Sequence, residues 1–459
     1  MDKIKDKLFK IAPIFLKEVG TSLNSYINRR DKYGEIYHNE LCLLRSCCKL
    51  NISEIQKVQE AKLSNFFLKI YKTNDYYKDI FNQLSINEEE IKTSPIKVLN
   101  RLPYMEKQYF KDNIDSISSS CLPTSFVSNT SGTSGSPMSV PFDSGGYQLG
   151  FAYWRRFYDE MGLPETFVNV RFSGRIIAGE GEKRRFWIYD YFESRYFFST
   201  YHMTERNLKL YVDKLNKIKP DLIDGYPSSI CILSRYILKN KISLDFKLKA
   251  IAVTAETLSD TDRAIIENAF NVKVYNQYAS SEGAPFITEC KDGGFHLNLD
   301  TGYFEFLDFK NDDNLKELVV TSFRNKKTPL IRYRIGDVVK PVSSNKVCKC
   351  GCEFPLIESI QGRADDILYS SERGAVGRLD PIYKGVYGID FSQIIQIGID
   401  DFVIKIVPND SWGEGELVTL RNNFLQRMGL NVLVRIEVVD NIPVGANGKF
   451  KSVINKLNG

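Results

Sequence analysis

Ser128-Asn129-Thr130-Ser131-Gly132-Thr133-Ser134-Gly135-Ser136-Pro137 is the stretch on which the reading of this chain turns. It concentrates five hydroxyls and two glycines between residues 130 and 136. Residues 125–127 before it and 138–142 after it read as short strands. Glycine tolerates the dihedrals that let successive backbone N–H groups converge, and hydroxyls add donors, so such a turn can wrap an anion, with a triphosphate as the obvious guest. The same composition also describes a flexible Gly/Ser loop. The helix-opening phosphate loop is excluded because its Gly-Lys-Ser/Thr ending is missing. The dinucleotide fingerprint is excluded because Gly-x-Gly-x-x-Gly is absent.

Working outward, residues 150–162 are predicted helical. Residues 167–200 are aromatic and strand-like, and they include Lys183-Arg184-Arg185. That cluster reads as an exposed loop, the alternative being phosphate contact with an anionic acceptor. A helix over 207–217 leads into 220–229, read as a strand, a Gly225-Tyr226-Pro227 turn and a helix capped by Ser228 or Ser229. A strand at 249–254, a helix at 260–270 and a strand at 272–278 follow. This alternation predicts a parallel α/β sheet with ligand-binding loops at one end. Residues 303–309, 318–323 and 331–339 read as strands. The last hundred residues mix strands (401–408, 432–439) with a helix (415–428), a small α+β lid. Residues 1–115 are mainly helical, for example over 55–71, and no chemistry is assigned to them.

The chain has 459 residues, 43% hydrophobic and 26% charged, ordinary for a globular protein of two or three domains. A net charge of +5 over this length is too weak to argue for nucleic acid. No apolar run approaches the ~18 residues of a membrane span. In residues 1–20 only 11–16 form an apolar run, too short for a secretory signal. They read as an amphipathic helix, with contact to a membrane surface the lesser reading, and a cytoplasmic protein is expected. Nine cysteines without a signal sequence argue against a disulfide framework.

Other stretches carry chemistry less specifically. Glu282, in Tyr278-Ala279-Ser280-Ser281-Glu282-Gly283, could be a cation ligand, a base or a helix cap. Asp337, in Arg332-Tyr333-Arg334-Ile335-Gly336-Asp337, could accept ribose hydroxyls or end a strand. Gly362-Arg363-Ala364-Asp365-Asp366 reads as a charged interdomain loop. Lys449 lies on a glycine-rich loop, Pro443 to Lys451. Cys290, His296, Cys348 and Cys350 supply the ligand types of a closed structural zinc site, against which stands a reading as plain buried cysteines. Cys352 is a spare.

Taken in order, these stretches resemble the adenylate-forming superfamily, which activates carboxylic acids with ATP. Ser131 to Pro137 is similar to its phosphate loop, Ser/Thr-Gly-Thr-Thr/Ser-Gly-x-Pro-Lys, with Met138 in the lysine position. The phenylacetate–CoA ligase-like branch, which includes CapK-like proteins of surface-polysaccharide loci, often lacks that lysine. The resemblance covers roughly the last three quarters of the chain. It implies phosphate contacts from Ser131, Gly132, Thr133, Ser134 and Gly135. Tyr278 would pack on adenine, with Ser281 near the α-phosphate, Glu282 on Mg²⁺ and Asp337 on ribose. Ala279 replaces the usual glycine. Arg363 would contact the nucleotide, Asp365 would be the hinge, and Lys449 would swing in for adenylation. It also favours zinc at Cys290, His296, Cys348 and Cys350.

The expected fold is α/β: a large N-terminal adenylation domain of mixed sheets and helices over 1–361, and a small mobile α+β lid over 362–459. The expected activity is that of an AMP-forming ligase using ATP and Mg²⁺. Its acyl acceptor would be coenzyme A, or an amine or hydroxyl on a sugar or small metabolite. The candidate acyl pocket lies around Gly225-Tyr226-Pro227 and 252–256. Two rivals are a nucleotide-binding subunit without catalysis and a scaffold of polysaccharide machinery.

Overall fold

In the computed structural model the described residues are 12–130, 138–173, 177, 182, 184–200, 202–256, 258–309, 312–342, 347–363, 367–376, 379–383, 386, 388–409, 412–443 and 452–457. The expected alternation builds the parallel part of a large sheet. Leu222–Gly225, Ala250–Thr254 and Val274–Tyr278 are consecutive parallel strands, and Asn169–Ser173 pairs in parallel beyond Leu222–Gly225. Their residues are buried, as in Ala250–Thr254, because the connecting helices Pro227–Lys239 and Asp260–Phe270 cover them.

Beyond Val274–Tyr278 the sheet turns antiparallel through Ile287–Glu289, Phe295–Leu297, Leu356–Arg363, Tyr333–Pro341, Asp312–Ser322 and Gly302–Phe309. The two-residue strand Met105–Glu106 joins Tyr333–Pro341 in parallel. The N-terminal helices pack over this half of the sheet. The longest, Ile52–Thr73, opens on a reciprocal capping box between Asn51 and Glu54 and buries Leu63, Phe66, Phe67 and Ile70. A separate four-stranded sheet, in the order Leu433–Val438, Asp401–Pro408, Ile389–Gly398, Val453–Asn455, carries the helix Glu414–Met428 on its own core of Phe402, Ile404, Phe424 and Met428.

Two local expectations are corrected. The helix expected from residue 150 spans Ser144–Glu160, because Asp143 caps it through Gly146 N (2.9 Å). Its early glycines, which weaken the helical signal, make room for a neighbour: a Cβ on Gly150 would lie 2.3 Å from the Arg324 guanidinium. The helix after the Gly-Tyr-Pro turn is not capped by Ser228 or Ser229. It begins at Pro227 with Tyr226 as N-cap, since proline at the first helical position lacks the N–H that would go unpaired.

Candidate active site

Tyr278 is the last residue of its parallel strand, and Glu282 follows in the turn, 4% exposed. Asp337 sits in Tyr333–Pro341 directly after Gly336, whose φ of +81° is one that side-chain-bearing residues rarely adopt. The antiparallel register sets Arg363 opposite Asp337. Their side chains meet at 3.1 Å, Arg363 Nε to Asp337 Oδ1. The Tyr278 hydroxyl donates to the other oxygen, Oδ2, at 2.5 Å. A carboxylate has about four acceptor positions, so Asp337 keeps lone pairs for further donors.

Lys107 completes the cluster, although nothing was assigned to the N-terminal region. Pairing of Met105 with Tyr333 and of Glu106 with Arg334 delivers the next residue to the site. Lys107 Nζ lies 3.6 Å from Glu282 Oε1 and donates to the Ile335 carbonyl at 3.5 Å. Arg363 Nη1 donates to that same carbonyl at 3.5 Å. Burial, then the nearby Arg363 charge, pulls the Lys107 ammonium below the usual lysine range, against the pull of Glu282 and Asp337. Burial raises the Asp337 carboxyl in spite of Arg363. Burial, with the Asp337 charge next, pushes the Tyr278 phenol far up, so it stays a donor.

Residues 131–137, the expected phosphate loop, lie outside the described residues, as do Asp365 and Lys449. The loop's flanks form the expected hairpin, Phe126–Asn129 against Ser139–Phe142. Its neck is closed by Thr130 N to Met138 O (2.8 Å) and Met138 N to Thr130 Oγ1 (2.9 Å). Phe142, at the hairpin base, packs against Gly283, where an added Cβ would meet its ring at 2.9 Å; the hairpin thus rises beside Glu282. Met138, in the lysine position of the resemblance, is buried in the main core. Ser281 is exposed in the turn.

The Gly225-Tyr226-Pro227 turn approaches the neighbouring strand so closely that a Cβ on Gly225 would lie 1.9 Å from the Phe172 carbonyl oxygen. Glu256, from the next connection, accepts from Ser228 N at 3.2 Å at the helix N-terminus. Beneath the turn, buried Asp224 is fixed by Arg171 Nε (2.8 Å), Asn169 Nδ2 (3.1 Å) and the Tyr158 hydroxyl (3.3 Å).

The four zinc-type ligands converge. One ligand atom from each of Cys290, His296, Cys348 and Cys350 lies within 4.8 Å of every other. Cys290 Sγ is 3.5 Å from Cys348 Sγ, and Cys350 Sγ is 3.4 Å from His296 Nε2. His296 Nδ1 lies 2.9 Å from the Phe354 carbonyl, which fixes the ring with Nε2 toward the thiols. A Cβ on Gly294 would stand 2.5 Å from Cys348 Sγ, so the cradle requires a residue without one. Cys352 instead faces Cys48. Three sulfurs and one imidazole closing on one point fit a structural zinc ion.

Known proteins place this architecture. Residues 368–456 match the family described as the CapK C-terminal domain. Protein CapK of Staphylococcus aureus is 33% identical over 457 residues, covering 98% of this chain and 99% of that protein. The phenylacetate–coenzyme A ligase of Pseudomonas putida is 30% identical over 247 residues, 51% of this chain and 49% of that one. Among solved structures, 2-hydroxyisobutyryl-CoA ligase in the postadenylation state superposes with a TM-score of 0.68 at 18% identity, covering 90% of this chain and 92% of the ligase. A relative 33% identical over nearly the whole length of both chains leads to one conclusion: the chain, which has the fold of an acid–CoA ligase, belongs to the CapK family.

Proposed function

We propose that this protein is a cytoplasmic AMP-forming ligase. A carboxylate oxygen attacks the ATP α-phosphorus, the bond to the bridging oxygen breaks, and pyrophosphate leaves with the acyl-adenylate behind. The acceptor then attacks the acyl carbon and AMP leaves. The acceptor is coenzyme A, or an amine or hydroxyl of a sugar-type metabolite used in surface-polysaccharide (capsule or O-antigen) biosynthesis.

The observation that carries this reading is the gathering of Tyr278, Glu282, Asp337, Arg363 and Lys107 from four separate segments. Two cations beside two carboxylates in one partly buried patch suit a nucleotide, with phosphates for the cations and ribose hydroxyls for Asp337. In this reading Asp337 accepts the ribose hydroxyls, Tyr278 lies against adenine, Arg363 and Lys107 face phosphate oxygens, and Glu282 holds Mg²⁺, which would neutralise phosphate charge. Residues 131–135 cradle the phosphates. The lid pivots near Asp365 between the two half-reactions, moving Lys449 out. Zinc at Cys290, His296, Cys348 and Cys350 is structural.

The core position of Met138 favours a second reading, a nucleotide binder without catalysis, because no cation stands there. Lys107 answers it by bringing an ammonium to Glu282, in the turn beside Met138's hairpin. Lys107→Met is expected to raise the ATP concentration for half-saturation about tenfold or more, the scale of one charge-assisted contact, with the maximal rate less affected; an unchanged ATP dependence would remove Lys107 from the site.

The overall test is carboxylate-dependent ATP–pyrophosphate exchange with Mg²⁺, over aryl, acyl, amino and sugar acids. Exchange with one acid establishes adenylation and names the substrate. Added coenzyme A, or a candidate amine or sugar, then identifies the acceptor by AMP release. ATP binding with no exchange from any acid would favour the binder.

A further inference from the structure

The helix Ile14–Ile27 is inside out. A surface helix ordinarily turns its apolar stripe to the core. Here the buried residues are Lys17, Glu18, Ser22 and Ser25. Lys17 donates to the Ile177 carbonyl at 3.0 Å. Glu18 accepts from Tyr189 N at 2.8 Å and pairs with Arg185 at 2.6 Å. Ser22 bridges Tyr189 O (3.3 Å) and Tyr191 N (3.2 Å), and Ser25 donates to the Asp190 carboxylate. Polar contacts thus hold the helix to the strand Trp187–Asp190 and fix its rotation.

The opposite face carries Phe15, Leu16, Val19, Leu23, Tyr26 and Ile27, between 47% and 66% exposed. Tyr191 (65%) and Phe192 (47%) extend it, with the Tyr26 and Phe192 rings 4.9 Å apart. Eight such side chains present on the order of 800 Å² of largely apolar surface, beyond what a monomer usually leaves bare. Both charged residues of the helix, Lys17 and Glu18, point inward, so its exposed face carries no charge.

The exposed charge at the C-terminal rim of the helix is mainly basic, two arginines with Asp31 beside them. Arg29 and Arg30 are exposed directly after the helix. In sequence alone, residues 1–31 hold seven Lys/Arg against four Asp/Glu, a net +3 within a chain whose total is +5. Among the described residues no helix is long and apolar enough to cross a membrane.

We infer that this face rests on an anionic phospholipid bilayer, with Phe15, Leu16, Val19, Leu23, Tyr26 and Ile27 entering the boundary between headgroups and acyl chains and the basic rim meeting the headgroups. An uncharged apolar face with flanking cations and aromatic edges is the pattern of a helix lying in that interface. A second copy fits worse. A two-fold contact through this face would press one basic rim against the other, since both subunits present the same patch.

The test is flotation of the full chain with phosphatidylcholine/phosphatidylglycerol vesicles and with phosphatidylcholine vesicles, at low and high salt. Partition to the anionic vesicles is expected, falling about tenfold or more on neutral vesicles, at high salt, or in Arg29→Glu/Arg30→Glu. Leu16→Ser/Leu23→Ser is expected to lower it by about 10²-fold at an unchanged melting temperature, because both side chains are exposed. No partition of the unaltered chain, or partition that survives the leucine pair, overturns the proposal. So does a dimer by light scattering that the leucine pair dissolves while vesicles bind nothing. The readout is partition, independent of adenylation.

Discussion

Lys449→Ala is expected to lower carboxylate-dependent ATP–pyrophosphate exchange by about 10²-fold or more, the scale on which one preorganised donor aimed at a developing oxyanion acts, while ATP binding changes little. When the carboxylate meets the α-phosphate, two anions approach and negative charge grows on the phosphoryl oxygens. A cation present at that moment and absent from the ground state lowers the barrier without tightening ATP. The lysine lies outside the described residues, on the connection from Leu433–Val438 to Val453–Asn455. Those two strands are the opposite edges of the small sheet, each paired in parallel with a central strand. Lys107 offers the contrast, since its loss should appear in the ATP dependence and that of Lys449 in the maximal rate. A second measurement separates the two half-reactions. Supplied with preformed acyl-adenylate and the acceptor, the Lys449→Ala protein should release AMP at nearly the unaltered rate. Full exchange activity in the variant, or equal loss in both half-reactions, would sink the assignment.

The two cations also mark how far the sequence can be read. Lys449 stands out through its glycine-rich surroundings and its place in an ordered series of motifs. Lys107 has no local mark. It enters the site because a two-residue strand pairs with a segment more than two hundred positions later, and tertiary pairing of that kind has no periodicity to detect. The parallel strands were legible because burial on both faces demands apolar runs such as Ala250–Thr254. The start of Ser144–Glu160 was not, because Gly145, Gly146 and Gly150 are set by packing against Asp143, Arg324 and their neighbours and weaken the helical pattern. Met138 read as a missing charge and is a core residue. An amphipathic helix was legible within residues 1–20, which the helix Ile14–Ile27 overlaps, but spacing cannot say which face turns inward. The partners that decide it, Tyr189, Asp190 and Arg185, lie far along the chain.

Removing the metal from Cys290, His296, Cys348 and Cys350 is expected to cost a few kcal/mol, well below the ~10–16 kcal/mol of small zinc-folded peptides, because the sheet here supplies its own hydrogen bonds. At about 2 °C per kcal/mol for a domain of this size, the melting temperature should fall by at least about 5 °C. The ligands come from two segments, 290–296 and 348–350. Cys290 lies in a tight turn closed by its N–H on the Gly294 carbonyl (2.9 Å), and His296 is in the strand that follows. Cys348 and Cys350 precede Leu356–Arg363, which pairs antiparallel with that strand, His296 opposite Leu356. A metal joining the two segments would anchor the near end of Leu356–Arg363, whose far end, Arg363, reaches Asp337. Metal loss should therefore weaken ATP binding as well as stability, although none of the four residues belongs to the Asp337 cluster. Elemental analysis of the purified protein should find one zinc per chain, released on thiol modification. Cys348→Ser should lose the zinc and reproduce the lower melting temperature. Cys352→Ser should keep the zinc, since that thiol faces Cys48. Protein without zinc, or Cys348→Ser with an unchanged melting temperature, would return these four residues to the status of buried side chains that only pack together.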